Sequence, residues 1–326
     1  MAQITLVEAI NLALKLEMAA DPGVVVLGQD VGVDGGVFRA TLGLAERFGP
    51  ERVIDTPLAE ALIAGMAIGM AVEGLKPVAE IQFSGFAYTT IDQILNHAGR
   101  MRHRTRGRLS CPLVLRTPCG AGIHAPEHHS ESPEAMFAHI PGIRVVYPSS
   151  PRRAYGLLLA AIRDPDPVIF LEPTRLYRLF KEEVADNGEA MALDTCYTLR
   201  EGTDVTLVSW GPMVTETLAA ANDLAEQGVA AEVIDVATLK PLDMDSILGS
   251  VAKTGRCVVV TEAPRTASFA SEIAAGLAEE GLLTLLAPVQ RVTGYDAVVP
   301  FSRLERRYIP DKQQIVAAAR KVLEFS

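Results

Sequence analysis

Short apolar runs alternate with stretches of helical period along the first half of the chain. Val24–Leu27, Val78–Gln82, Leu113–Arg116, Arg144–Tyr147 and Val168–Glu172 read as strands, with helices at Thr89–Arg102 and Arg152–Ile162 among the segments between them. Continuous apolar strands separated by helices predict a parallel, doubly wound sheet covered on both faces. The opening segment reads as a helix that starts near Thr5 and ends before Asp21-Pro22-Gly23. After Glu172 the pattern changes, and residues 173–204 are charged and irregular, as expected of an interdomain connection. Alternation then resumes with strands at Val205–Ser209, Ala231–Val236, Cys257–Thr261 and Val289–Val292. Helices over 213–227, 243–253 and 268–280 separate them, and a last helix covers Asp311–Leu323. The predicted organisation is α/β throughout: two doubly wound domains over 1–185 and 204–326, joined by a linker at 186–203.

Composition narrows the classes. With 326 residues, 49% of them hydrophobic and 21% charged, the chain can bury a sizeable core. Its formal net charge of -10 argues against a nucleic-acid binder. The basic run Arg100, Arg102, Arg104, Arg106 and Arg108 lacks interleaved aromatics and reads as a solvated helix end or a subunit contact. The longest apolar run, Ala61–Val72, is too short to span a bilayer, so no membrane association is expected. The N-terminus carries no signal-peptide pattern. Cys111, Cys119, Cys196 and Cys257 form no C-x-x-C pair, and free thiols suit the reducing cytoplasm.

Three segments could carry chemistry. In DTPLAE (55–60), Thr56 is a plausible N-cap and Pro57 a good first helical residue, which puts Glu60 in the first turn. A carboxylate there ordinarily answers the helix dipole. The twelve residues that follow hold no polar side chain, however, and a helix apolar all round is buried. A carboxylate at its mouth is costly without a partner. Gly65 and Gly69 fit tight packing across a subunit interface. The second segment, QFSGFAY (82–88), follows a strand, and its aromatics are core residues or a platform for a flat heterocycle. The third is a loop with four of the six histidines, in GAGIHAPEHHSESPEAMFAHIPG (120–142). It reads as a solvated loop, as a general acid–base site, or as a zinc site if His124 and His128 share a helix face. Neither G-x-G-x-x-G after a strand nor G-x-x-x-x-G-K-[ST] occurs, so direct nicotinamide or nucleoside-triphosphate binding is unsupported.

Several segments taken together resemble the beta subunit of the thiamine-diphosphate-dependent decarboxylating component of 2-oxo acid dehydrogenase complexes. They are Gly28-Gln29-Asp30-Val31-Gly32 with Gly35-Gly36-Val37-Phe38, DTPLAE, GLKPVAEIQF (74–83), HHSESPEAMFAHIPG (128–142), DPVIFLEP (166–173), EVIDVATLKPLD (232–243), KTGRCVVVTEAP (253–264) and RVTGYD (291–296). They cover nearly the whole chain in family order. The resemblance implies a pyrimidine-binding domain followed by a transketolase-type C-terminal domain. It implies an α2β2 heterotetramer in which a separate alpha subunit shares the thiamine diphosphate and holds its magnesium, since this chain lacks the Gly-Asp-Gly diphosphate signature.

Residue by residue, Glu60 matches the glutamate that hydrogen-bonds the aminopyrimidine ring nitrogen. Phe86 matches the aromatic that packs on that ring, and Gln82 a neighbour lining the pocket. His129, directly before Ser130, matches the histidine that handles protons as the acyl group passes to lipoamide. Leu113, Ala161, Ile162, Asp164 and Asp166 match a structural potassium site built mainly of backbone oxygens. The implied activity is oxidative decarboxylation of a 2-oxo acid, pyruvate first and branched-chain acids as an alternative, with cleavage of acetoin a further alternative. A lipoyl acyltransferase core is the expected further partner. From other classes, a catalytically silent assembly partner and a histidine-loop metalloenzyme remain. Glu60, Phe86 and His129 together favour the active enzyme.

Overall fold

The computed structural model of the chain describes residues 2–325. The first helix, Leu6–Ala20, begins where the sequence signals it. Thr5 and Glu8 form a reciprocal capping box that satisfies two end amides. Its apolar face (Leu6, Ile10, Ala13, Leu14) packs against the helix Pro151–Arg163, which starts with Ser150 as cap and proline in its first turn.

Behind these helices lies a seven-stranded sheet. Its spatial order is Thr238–Lys240, Arg144–Val146, Val168–Pro173, Val114–Cys119, Lys76–Glu80, Val24–Gly28, Val53–Asp55. All run parallel except Thr238–Lys240, which pairs antiparallel with Arg144–Val146. That edge strand comes from the second half of the chain. The second sheet has five strands in the order Gln290–Gly294, Cys257–Pro264, Val205–Ser209, Ala231–Asp235, Tyr197–Arg200, with only the last antiparallel.

Four features differ from the sequence expectation. The stretch Thr89–Arg102 is broken into short turns of helix around Ile91–Asn96: Thr89 and Thr90 hydroxyls bond the carbonyls of Phe86 and Ala87 at its start, and the backbone departs from regular helical geometry at His97. The charged segment after Glu172 contains Glu182–Val184, which pairs with Ala2–Ile4, and Tyr197–Arg200, which edges the second sheet. Val53–Asp55 and Thr238–Lys240, three residues each, are too short to show a period. The helix after DTPLAE starts at Glu60 rather than Pro57. Thr56 is not its cap: the Thr56 amide still bonds the carbonyl of Gly28, which prolongs the extended strand and delays the helix to Glu60.

One apolar cluster covers the face of the large sheet that carries the helix Glu60–Val72. It continues without a break into the second sheet through Trp210, Val259 and Ile273. In the large sheet, Arg116 is buried between Glu80 and Glu172. Its Nε and Nη2 reach the Glu172 oxygens at 2.6 and 2.8 Å, and its Nη1 donates to Glu80. Tyr177 adds a hydroxyl donor to Glu172. Among the described residues no helix is long and apolar enough to cross a membrane.

Candidate functional site

The chain order of the large sheet reverses between Val24–Gly28 and Lys76–Glu80. Crevices at the carboxyl ends of parallel strands, at such a reversal, are where open α/β sheets bind ligands. The three candidate segments all converge on that edge. DTPLAE begins at the end of Val53–Asp55, the aromatic segment follows Lys76–Glu80, and the histidine loop follows Val114–Cys119, with Gln29 and Asp30 following Val24–Gly28 between them. The Gln82 side-chain amide spans the reversal, donating to Asp30 Oδ2 at 3.1 Å and to the Gln29 carbonyl at 3.4 Å.

The aromatic segment and the histidine loop interlock. His129 stacks on Phe83, with ring centroids 3.7 Å apart and planes 26° apart. Its edge meets Phe86 at 5.4 Å, and Phe86 lies 5.7 Å from His128. Gly85 makes this approach possible, since a Cβ there would collide with the carbonyl of His128. Burial in the stack, then the neighbouring His128, hold the His129 imidazole below its ordinary pKa, so the ring is neutral at pH 7 and able to accept a proton. Its Nδ1 and the Ser84 hydroxyl are buried without a hydrogen-bond partner among the described residues. Two unanswered polar atoms beside an aromatic platform suit a flat, hydrogen-bonding heterocycle.

Glu60 is half-buried at the start of its helix, which packs on Lys76–Glu80 and on Tyr88–Thr90 just beyond Phe86. The helix is not buried all round in this chain. Leu62 is 46% exposed, Leu58 before it 66%, and Gly69 faces open space.

His124 and His128 do not share a helix face. His124 has φ +59° and its Nδ1 lies 2.7 Å from Glu305, whereas His128 sits in the turn Glu127–His129. Among the described residues no group of three or more His, Cys, Asp or Glu side chains could hold a metal ion. The residues matched to potassium are of another kind. The two carboxylates are already answered, Asp164 by Arg144 at 3.1 Å and Asp166 by Arg102 at 2.8 Å. The Leu113 carbonyl accepts from Val168, and that of Ala161 only a 3.4 Å bond from Asp164. Ala161 and Ile162 end the helix Pro151–Arg163, where the dipole favours a cation, so an oxygen-only set fits a hard monovalent ion in kind.

Beyond the histidine loop, Glu134 opens a short helix and is buried against the second domain. It accepts from Trp210 Nε1 at 3.3 Å and from the Thr261 hydroxyl at 3.2 Å. Burial pushes its carboxyl up to about 7. The unfolded chain takes that proton near the ordinary value of 4.5. The stability Glu134 contributes is therefore full below about pH 4 and is lost as pH rises through about 7, at up to about 1.4 kcal/mol per pH unit. Glu134→Gln should flatten this slope in denaturant titrations between about pH 5 and 7. An unchanged slope would place its origin elsewhere.

The geometry gathers the candidate segments at the carboxyl edge of a doubly wound sheet, coupled to a second α/β domain. The chain belongs to the transketolase pyrimidine binding domain family, which it matches over residues 2–179, and residues 194–315 match the transketolase C-terminal domain. Membership implies use of thiamine diphosphate. The chain is 48% identical to the pyruvate dehydrogenase E1 component subunit beta of Bacillus subtilis over 325 residues, all of both chains. Identity is 47% to the subunit of the same name from Staphylococcus epidermidis and 45% to that from Staphylococcus aureus, again at full coverage. A split-gene transketolase solved as an inactive beta4 tetramer superposes over 99% of each chain with a TM-score of 0.81 at 24% identity, which shows the fold.

Proposed function

We propose that this chain is the beta subunit of a pyruvate dehydrogenase E1 component, active only with an alpha subunit in an α2β2 assembly. The observation that carries the reading is the gathering of the candidate segments at one sheet edge. Glu60, Gln82, Phe86 and His129 lie on the segments that line one sheet edge, in a chain 48% identical along its full length to a subunit of that name. The apolar surface that this chain leaves uncovered beside Glu60, Leu58 and Leu62, supports a partner closing the site.

Thiamine diphosphate, when bound, supplies the electron sink for decarboxylation of a 2-oxo acid. The residues of this chain hold and orient it. Glu60 would hold a proton at the aminopyrimidine ring nitrogen. Phe86 would pack on the ring face and Gln82 line its edge, while the aromatic wall excludes water. His129, kept neutral by its stack, would accept and return the proton that moves when the acyl group passes to lipoamide on the acyltransferase core. Magnesium would be held by the alpha subunit. A potassium ion would rest on the Ala161 and Ile162 carbonyls, with Leu113, Asp164 and Asp166 around it.

The test is an assay on this chain co-expressed with its alpha partner, with and without thiamine diphosphate and magnesium, that follows decarboxylation of pyruvate and branched-chain 2-oxo acids and cleavage of acetoin. Activity that needs both chains and prefers pyruvate is expected. A stable complex that neither binds the cofactor nor turns over would instead make the chain a silent assembly partner. His129→Ala should cost about 10²-fold or more in lipoamide acylation and less in decarboxylation followed with an artificial oxidant. Equal losses in both assays would reduce His129 to a packing role.

A further inference from the structure

Backbone N–H groups of an irregular loop must find acceptors. In the first part of the histidine loop they find them in the other domain. Gly122 N donates to Glu305 Oε1 at 2.7 Å and His124 N to Glu305 Oε2 at 3.1 Å, with His124 Nδ1 2.7 Å from the same oxygen. Ala121 N donates to Glu262 Oε1 at 3.1 Å, and Glu262 is itself held by Arg175 at 2.5 Å. The loop backbone is one that needs holding. Gly122 has φ +102°, and His124, which is not glycine, has φ +59°. Glu305 is 1% exposed although its helix, Ser302–Tyr308, has only seven residues and presents Leu304 to solvent. A carboxylate so buried is costly unless its oxygens are answered, and here the loop answers both.

We propose that Glu305 is a positioning residue for acyl transfer: from the second domain it sets the path of the loop, and through it the pose of His129 on Phe83. The proposal rests on the reading of His129 given above. Glu305 touches no reacting atom; it acts five residues upstream, where the chain enters the turn Glu127–His129. Because each oxygen serves a different N–H, the nearly isosteric Glu305→Gln can satisfy one and must turn an NH2 toward the other. It perturbs the loop without emptying volume.

The experiment compares wild type, Glu305→Gln and Glu305→Asp in the assembled complex with its alpha subunit and acyltransferase. In Glu305→Gln the kcat for lipoamide acylation should fall at least about ten-fold, with KM for the 2-oxo acid little changed. Decarboxylation with an artificial oxidant should fall less, because Glu60 and Gln82 stand on segments the loop does not carry. Hydrogen exchange at the Gly122 and His124 amides should speed up at least about ten-fold. Glu305→Asp, which keeps two acceptor oxygens, should recover part of both losses and decides the matter if the glutamine variant does not fold. Wild-type exchange in Glu305→Gln, or equal losses in the two assays, would overturn the proposal. If wild type itself fails to acylate lipoamide, the reading of His129 fails, and the exchange rates alone decide whether Glu305 holds the loop.

Discussion

Glu60→Gln is expected to lower 2-oxo acid decarboxylation by the assembled complex by about 10²–10⁴-fold, the range that a positioned proton-holding group supplies. The substitution is close to isosteric, so the loss isolates the carboxylate's charge and its proton. Glu60 stands at the very start of its helix because the Thr56 amide remains tied to the Gly28 carbonyl, and the Ala59 cap offers no side-chain acceptor. The proposed role needs the carboxylate at the sheet edge and not folded back onto its own helix end. It is half-buried and lies outside the apolar core, so the variant should unfold within about 0.5 kcal/mol of wild type. Turnover near normal in a complex that binds thiamine diphosphate would refute the assigned role. Loss of both turnover and folding would show that Glu60 is structural.

Arg116→Met should have the largest effect on stability. It removes the cation between two buried carboxylates, Glu80 and Glu172, on the two strands that flank its own. Removing one member of a buried ionic set typically costs about 3–5 kcal/mol, a large share of a domain's total stability of about 5–15 kcal/mol. The pH dependence gives a second signature. Even with Arg116 present, burial holds the Glu80 carboxyl above its ordinary value. A carboxyl whose folded pKa is raised contributes stability that is present at low pH and lost as pH rises through that folded value. Without the guanidinium the rise is larger. The variant should therefore recover stability relative to wild type as pH falls from neutral toward about 5, read by denaturant unfolding at each pH. A deficit independent of pH would mean that lost packing, not an unpaired charge, is responsible.

The local order of this protein was legible in its sequence wherever an element is long enough to show a period or carries its own signals. Thr5 with Glu8, Ser150 with Pro151, and the buried, mainly apolar strands Val24–Gly28, Val205–Ser209 and Ala231–Asp235 are set by side-chain chemistry within a few residues. The two-domain α/β organisation followed from that alternation, and the matches over 2–179 and 194–315 agree with it in family terms. The candidate residues Glu60, Gln82, Phe86 and His129 came from motifs in family order, because the spacing of one carboxylate or one histidine does not separate a ligand site from a helix end or a solvated loop.

Tertiary structure alone decided how Phe86 and His129 meet. That Phe83, for which the sequence names no partner, becomes the stacking partner of His129 depends on Gly85 allowing one segment to pass against another some forty residues away. That the helix begins at Glu60 rather than Pro57 depends on a hydrogen bond to Gly28. That Glu305 and Glu262 hold the histidine loop depends on contacts 141 to 183 residues apart in the chain. Nothing near Glu305 in sequence marks it, because its role comes from the amides it meets and not from its neighbours. Sequence patterns report burial and local propensity, which act over a few residues; the pairing of distant polar groups is chosen by the packing of whole elements, and that is where this site is assembled.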